Sequence, residues 1–155
     1  MDIFLDAISI GCEIGAPAPY LSYQSHVTTK ESGSQVEFDK VPILQESILE
    51  QLTLLVSKDE MTDIQSKFID QVGEDIDKIK SALSSSDYSS AAEASHRLAG
   101  AMLNLGLLRC EAISRALQQA AKNELDSSST FLKPLEESKE ESLESLDQAI
   151  ERLSA

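Results

Sequence analysis

The chain holds few side chains suited to covalent chemistry: two histidines, His26 and His96, and two cysteines, Cys12 and Cys110. A neutral imidazole is a competent nucleophile near neutral pH, because its unperturbed pKa is about 6.5. His96 sits in a helical run, and its position on that run is unusual. With Leu98 as the origin of a helical wheel, Ala91, Ala94, Ser95, Ala101, Met102 and Leu105 fall within about 60° and define a core face. His96 falls at about 160°, nearly opposite. Its neighbours there are Ser89, Ala92, Gly100 and Leu103 rather than the Glu and Lys expected of a solvated face. A mid-helix glycine costs ~1 kcal/mol relative to alanine, so Gly100 is retained for a reason. Two remain open: something approaches the imidazole closely, or a neighbouring helix packs there.

The other candidates carry less. His26 lies in a polar stretch without ligand-spaced partners, and Cys12 and Cys110 match neither a metal spacing nor a disulfide framework. No metal site is expected. Gly11 and Gly15 are not followed by the lysine and serine or threonine of a phosphate loop, so ATP-dependent self-phosphorylation is not expected. The glutamates within residues 136–141 read as a solvated helix face.

The elements that must position His96 are helical throughout. Residues 1–36 carry Gly11, Gly15, Pro17, Pro19 and a Ser/Thr-rich run, and read as a tail or linker with a short docked helix over residues 2–10. Residues 37–155 read as an all-α, antiparallel four-helix bundle with a shorter helix before it. In that shorter helix Asp39 is the cap, Pro42 sits in the first turn, and Leu44, Ile48, Leu52 and Leu55 form the buried stripe. Ser57 and Glu60 have capping-box spacing for a helix reaching about Leu83, with Ile64, Phe68, Val72, Ile76 and Ile79 inward. Asp87 caps the His96 helix, which ends near Gly106. A fourth helix runs from Leu107 to about Asn123, burying Ile113, Leu117, Ala120 and Ala121. The last begins between Thr130 and Pro134, striped by Leu132, Leu135, Leu146, Ile150 and Leu153.

Composition narrows the function classes. The 155 residues carry 13 basic against 27 acidic side chains, a formal charge of −14, which repels nucleic-acid phosphates and anionic lipid heads. Aromatic residues at 5% with no Trp argue against a large aromatic-lined ligand pocket. The apolar run Ile3–Ile10 carries Asp2 and Asp6 where a signal peptide would be basic, and no stretch reaches the roughly 20 apolar residues of a membrane span. A cytoplasmic, monomeric protein with protein partners is the expectation.

The segment from His96 through Arg97, Leu98, Ala99 and Gly100 to Leu105 and Gly106 resembles the signature of histidine-containing phosphotransfer (HPt) domains, roughly H-x-L-K-G-x-x-x-x-L/I-G. The Phe38-Asp39 opening, the helix around Phe68, the Asp87-Tyr88 start and the Leu117-Gln118 region have counterparts in the same family. The resemblance implies a phosphorelay intermediate in which His96 takes a phosphoryl group from a receiver-domain aspartate and gives it to another. Response-regulator receivers would be the partners, and Mg²⁺ would sit on the receiver, with no cofactor on this chain. The chain would be free-standing or part of a hybrid sensor histidine kinase. The resemblance further assigns Gln118 to orienting the imidazole, and Gly100, Ala92, Ala99 and Leu103 to the receiver-docking surface. Ala99 stands where the family usually has a lysine that balances phosphate charge, which leaves Arg97 and Lys67 as candidate cations. That departure also raises two alternatives: a phosphate-silent adaptor that binds receivers, and an unrelated acidic helical scaffold.

Overall fold

The computed structural model describes residues 38–154; the expected tail with its short helix, His26 and Cys12 lies outside the described residues. A 3₁₀ turn at Phe38–Lys40 leads into five α-helices: α1 (Glu46–Leu55), α2 (Lys58–Ser84), α3 (Tyr88–Asn104), α4 (Leu108–Lys122) and α5 (Leu132–Leu153). A second 3₁₀ turn, Asp126–Phe131, precedes α5. Helices α2 to α5 form the antiparallel bundle, and α1 is the shorter helix before it.

Local chemistry fixes most of the boundaries. At the start of α2 the Ser57 hydroxyl accepts from the Glu60 amide, and the Glu60 carboxylate accepts from the Ser57 amide at 2.7 Å, the reciprocal cap its spacing predicts. The backbone and side-chain hydrogen bonds from Ser57 hold the Glu60 carboxyl below its ordinary range. At the end of α3, Gly106 adopts φ +76°, its amide donates to Leu103, and the Leu107 amide reaches back to Met102 at 2.9 Å. That is a left-handed helix stop, natural to glycine. Gly106 has a second duty. Its carbonyl accepts from the Gln45 amide at 2.8 Å, and a β-carbon there would lie 2.7 Å from the Gln45 carbonyl oxygen. The start of α1 is therefore seated directly on the α3–α4 turn.

This seating corrects the expected start of the first helix. Asp39 does not cap it and Pro42 is not in its first turn. Instead the Arg109 guanidinium on α4 donates to the carbonyls of Asp39 at 3.1 Å and Val41 at 3.0 Å, holding that stretch outside a helix. Pro42 biases Val41 away from helical geometry as well. The helix begins only at Glu46, and its buried anchor is Leu49. Leu44, Ile48 and Leu52 are half-buried, while Leu55 is 81% exposed although Leu52 and Val56 on either side of it pack against the core.

The main core is an apolar cluster that includes Val72, Ile79, Leu98, Met102, Ile113, Leu117, Leu135 and Leu146. Helix α5 closes the bundle against α2: Gln65 donates to Asp147 at 3.0 Å, and Lys80 pairs with Glu136. Of the two residues that interrupt the α5 stripe as read from sequence, Ser142 is buried and Lys139 is half-buried. Burial pushes the Cys110 thiol of α4 above its ordinary range.

Gly106→Ala should destabilise the protein by about 1–3 kcal/mol, since both the left-handed backbone and the Gln45 contact oppose a side chain. Gly73, mid-way along α2, meets nothing within 4 Å of its would-be β-carbon. Gly73→Ala should therefore stabilise by up to ~1 kcal/mol. Urea unfolding of the two variants beside the parent checks both signs.

Candidate functional site

Helix α3 begins on a strong cap. The Asp87 carboxylate accepts from the Ser90 hydroxyl at 2.7 Å and the Ser90 amide at 3.1 Å, and those bonds hold it below the usual carboxyl range. With its start fixed, α3 turns a row of small residues toward its neighbours: Ala91, Ala92, Ser95 and Ala99 are all buried. On α4, Ala112, Ser114, Ala116, Ala120 and Ala121 are buried in the same way. Both serines satisfy their hydroxyls on their own helix, Ser95 to Ala91 and Ser114 to Cys110, each at 2.7 Å. The α3–α4 contact is consequently the most extensive in the bundle.

That packing corrects part of the expected docking surface. Ala99 is fully buried and Ala92 nearly so, at 8% exposure. A neighbouring helix lies against them, and that packing by itself favours small side chains. Leu103 is half-buried. Gly100 behaves differently: a β-carbon there would meet nothing within 4 Å, so no contact inside the protein requires the glycine.

His96 is exposed on α3 beside the seam. It lines a shallow groove between α3 and α4 whose walls also include Ser89, Ala92, Gln118 and Lys122. Gln118, which the resemblance assigns to orienting the imidazole, lines the same groove from α4, and no hydrogen bond joins the two side chains. Tyr88 closes one end of the groove, its hydroxyl donating to Asp126 at 2.8 Å, and that bond pushes the phenol above its ordinary range. Glu93 and Glu124 are the groove's carboxylates.

Neither expected cation joins His96. The Arg97 guanidinium donates through Nε and Nη2 to one oxygen of Asp75, at 2.8 and 2.6 Å, and Asp75 is fully buried. Gln71 donates to the same oxygen at 3.2 Å, while the second oxygen of Asp75 has no partner. Arg97 thus ties α3 to α2. Taking that pair as the register of the two antiparallel helices, Lys67 lies eight residues from Asp75, about 12 Å along the axis. It lines no part of the groove.

Sequence reasoning missed Lys122 and Asp75. Lys122 follows Gln118 at i+4, which puts both on one stripe of α4. Asp75 occupies a core phase of α2, three residues after Val72 and four before Ile79. Both signals were present in the spacing. Among the described residues, no group of three or more His, Cys, Asp or Glu side chains is placed to hold a metal ion, and no helix is long and apolar enough to cross a membrane.

The bundle presents His96 on α3 beside its closely packed seam with α4. The family model of the Hpt domain matches residues 63–155, and the chain belongs to that family. The match begins within α2, so α1 and the Phe38 turn lie outside it. Among solved structures, histidine-containing phosphotransfer protein B from Pseudomonas aeruginosa PAO1 is similar, with a TM-score of 0.66 and 18% identity over 73% of this chain and 98% of that one. At that identity the likeness is one of fold. No curated protein matches the chain. Family membership places the chain in histidine phosphotransfer within phosphorelays, with response-regulator receivers as the partner class.

Arg97→Ala should cost about 2–4 kcal/mol by leaving the buried Asp75 carboxylate unpaired, less than a fully buried pair because the guanidinium is half-exposed. Chemical denaturation monitored by helicity reads this directly. Asp75→Asn combined with Arg97→Ala should recover part of the loss.

Proposed function

We propose that His96 is the relay nucleophile of this chain, accepting a phosphoryl group from a receiver aspartate and passing it to another receiver. The observation that carries the proposal is the exposed imidazole beside Gly100, one helical turn away, where a backbone without a β-carbon leaves room for a partner. A lone pair on the unprotonated ring nitrogen attacks the phosphorus of the aspartyl phosphate. The bond from phosphorus to the carboxyl oxygen breaks, and its electron pair leaves with the carboxylate. The product ring is cationic until it loses its remaining N–H proton to solvent. The reverse sequence hands the group onward. Such transfer depends on alignment and charge neutralisation, which suits a rigid helix surface.

In this reading the receiver brings the aspartate and would also hold a Mg²⁺ that offsets phosphoryl charge. The chain supplies the nucleophile, an amide at Gln118 to orient it, and the surface around Gly100 with Leu103 at its apolar edge. The kinase that charges the first receiver is a separate catalytic domain, whether on another chain or in cis with this one.

Two experiments test the assignment. Label from a radiolabelled phospho-receiver should move to the parent chain, survive alkali and be lost in acid, while His96→Gln accepts none and keeps its helicity. Label on the mutant would remove His96 from the role. Separately, Gly100→Ala should raise stability by up to ~1 kcal/mol. It should also slow transfer from the receiver, and a bulkier Gly100→Leu should slow it further. Unchanged transfer in both variants would show that no partner approaches at Gly100.

A further inference from the structure

The groove beside His96 must hold a phosphoryl group with two negative charges, in a protein whose formal charge is already −14. Its own walls are unfavourable at first sight, since Glu93 and Glu124 both line it. The neutral donors there offer little. The Tyr88 hydroxyl is engaged by Asp126, which leaves the Ser89 hydroxyl and the Gln118 amide. The position that usually carries a lysine is Ala99, fully buried against α4. Arg97 is held by Asp75, and Lys67 stands about 12 Å down the bundle. One cation lines the groove: Lys122.

We propose that Lys122 is the residue that balances the phosphoryl charge on His96, so that in this chain the compensating cation comes from α4 rather than from the histidine helix. The proposal rests on His96 as acceptor and concerns a different residue on a different helix. Three observations support it. Lys122 is one turn beyond Gln118 on the same face of α4, so the two point into the groove together. Ala92 and Ala121 pack together in one small cluster, which sets the α3–α4 register and puts Lys122 about one turn along from the level of His96. Between those levels the α3 side chain is Ala92, too short to block the four-carbon reach of a lysine. Finally, Lys122 is exposed and forms no ion pair among the described residues, so its ammonium is available without breaking a structural contact.

Lys122 is a positioning and charge-balancing residue, and the test reads more than overall activity. The parent, Lys122→Ala and Lys122→Arg are each equilibrated with a phosphorylated receiver, and the distribution of label between receiver and chain is measured at low and high salt. Loss of the cation should shift that distribution toward the receiver by about three- to tenfold, with Lys122→Arg close to the parent. The shift should shrink as salt rises, because an exposed ion pair is screened. Helicity and receiver affinity should be unchanged, which separates charge balance from docking or folding. Equal distributions in parent and Lys122→Ala overturn the proposal while leaving His96 as the acceptor. A parent that takes no label overturns both readings.

Discussion

Close contact between α3 and α4 is the constraint on which the rest of the site depends. Alanines and serines meet across that seam, and the two serines return their hydroxyls to their own helices, so nothing polar keeps the backbones apart. The result is a narrow register in which few arrangements fill space equally well. His96, Gln118 and Lys122 reach the same groove because of it, although they come from two helices. A larger side chain at Ala92, Ala99 or Ala121 would separate the helices and move the groove's walls.

Rotation of α3 about its own axis is limited by a second device. The Arg97–Asp75 pair binds the face adjacent to His96 to α2, and the buried carboxylate makes any alternative rotation costly. One oxygen of Asp75 takes three donors and the other none, so the carboxylate is a geometric peg more than a source of net stability. At the lower end of α3, Gly106 performs the corresponding task by ending the helix and receiving the start of α1 in one backbone geometry. The histidine is thus aimed from both flanks and from one end, while its own side chain makes no contact that would hinder transfer.

What the sequence revealed follows the range of the interactions involved. The caps at Ser57 and Asp87 and the stop at Gly106 each need residues within one turn, and each forms as read. The phase of His96 opposite Leu98 also survives, because it depends on helical period alone. The start of α1 does not, since it is set by Arg109 and Gly106, both more than 50 residues away in the chain. Ala92 and Ala99 lie at about 100–120° on the wheel, the flank between core and solvent, where an alanine fits either side. The phase of Asp75 is inward, but carboxylates are so rarely buried that phase alone does not mark it as a core residue. Lys122 required the α3–α4 register, which no single helix encodes.

The electrostatics of the groove suit a carrier better than a tight binding site. A phosphoryl group buried among several cations would be held too firmly to pass on, since any stabilisation of the loaded state opposes the next transfer. A solvent-exposed lysine contributes little, of the order of an exposed ion pair, and Glu93 and Glu124 reduce it further. The negative net charge acts the same way, although screening confines it to about 8 Å at physiological salt. With Lys122 in the proposed role, the arrangement would keep the phosphorylated and free forms close in energy. Near-equality would suit the reversible transfer proposed for His96, since neither direction would be blocked. In the proposed arrangement the cation on α4 lies about one turn from the histidine, where it would weaken repulsion without locking the phosphoryl group in place.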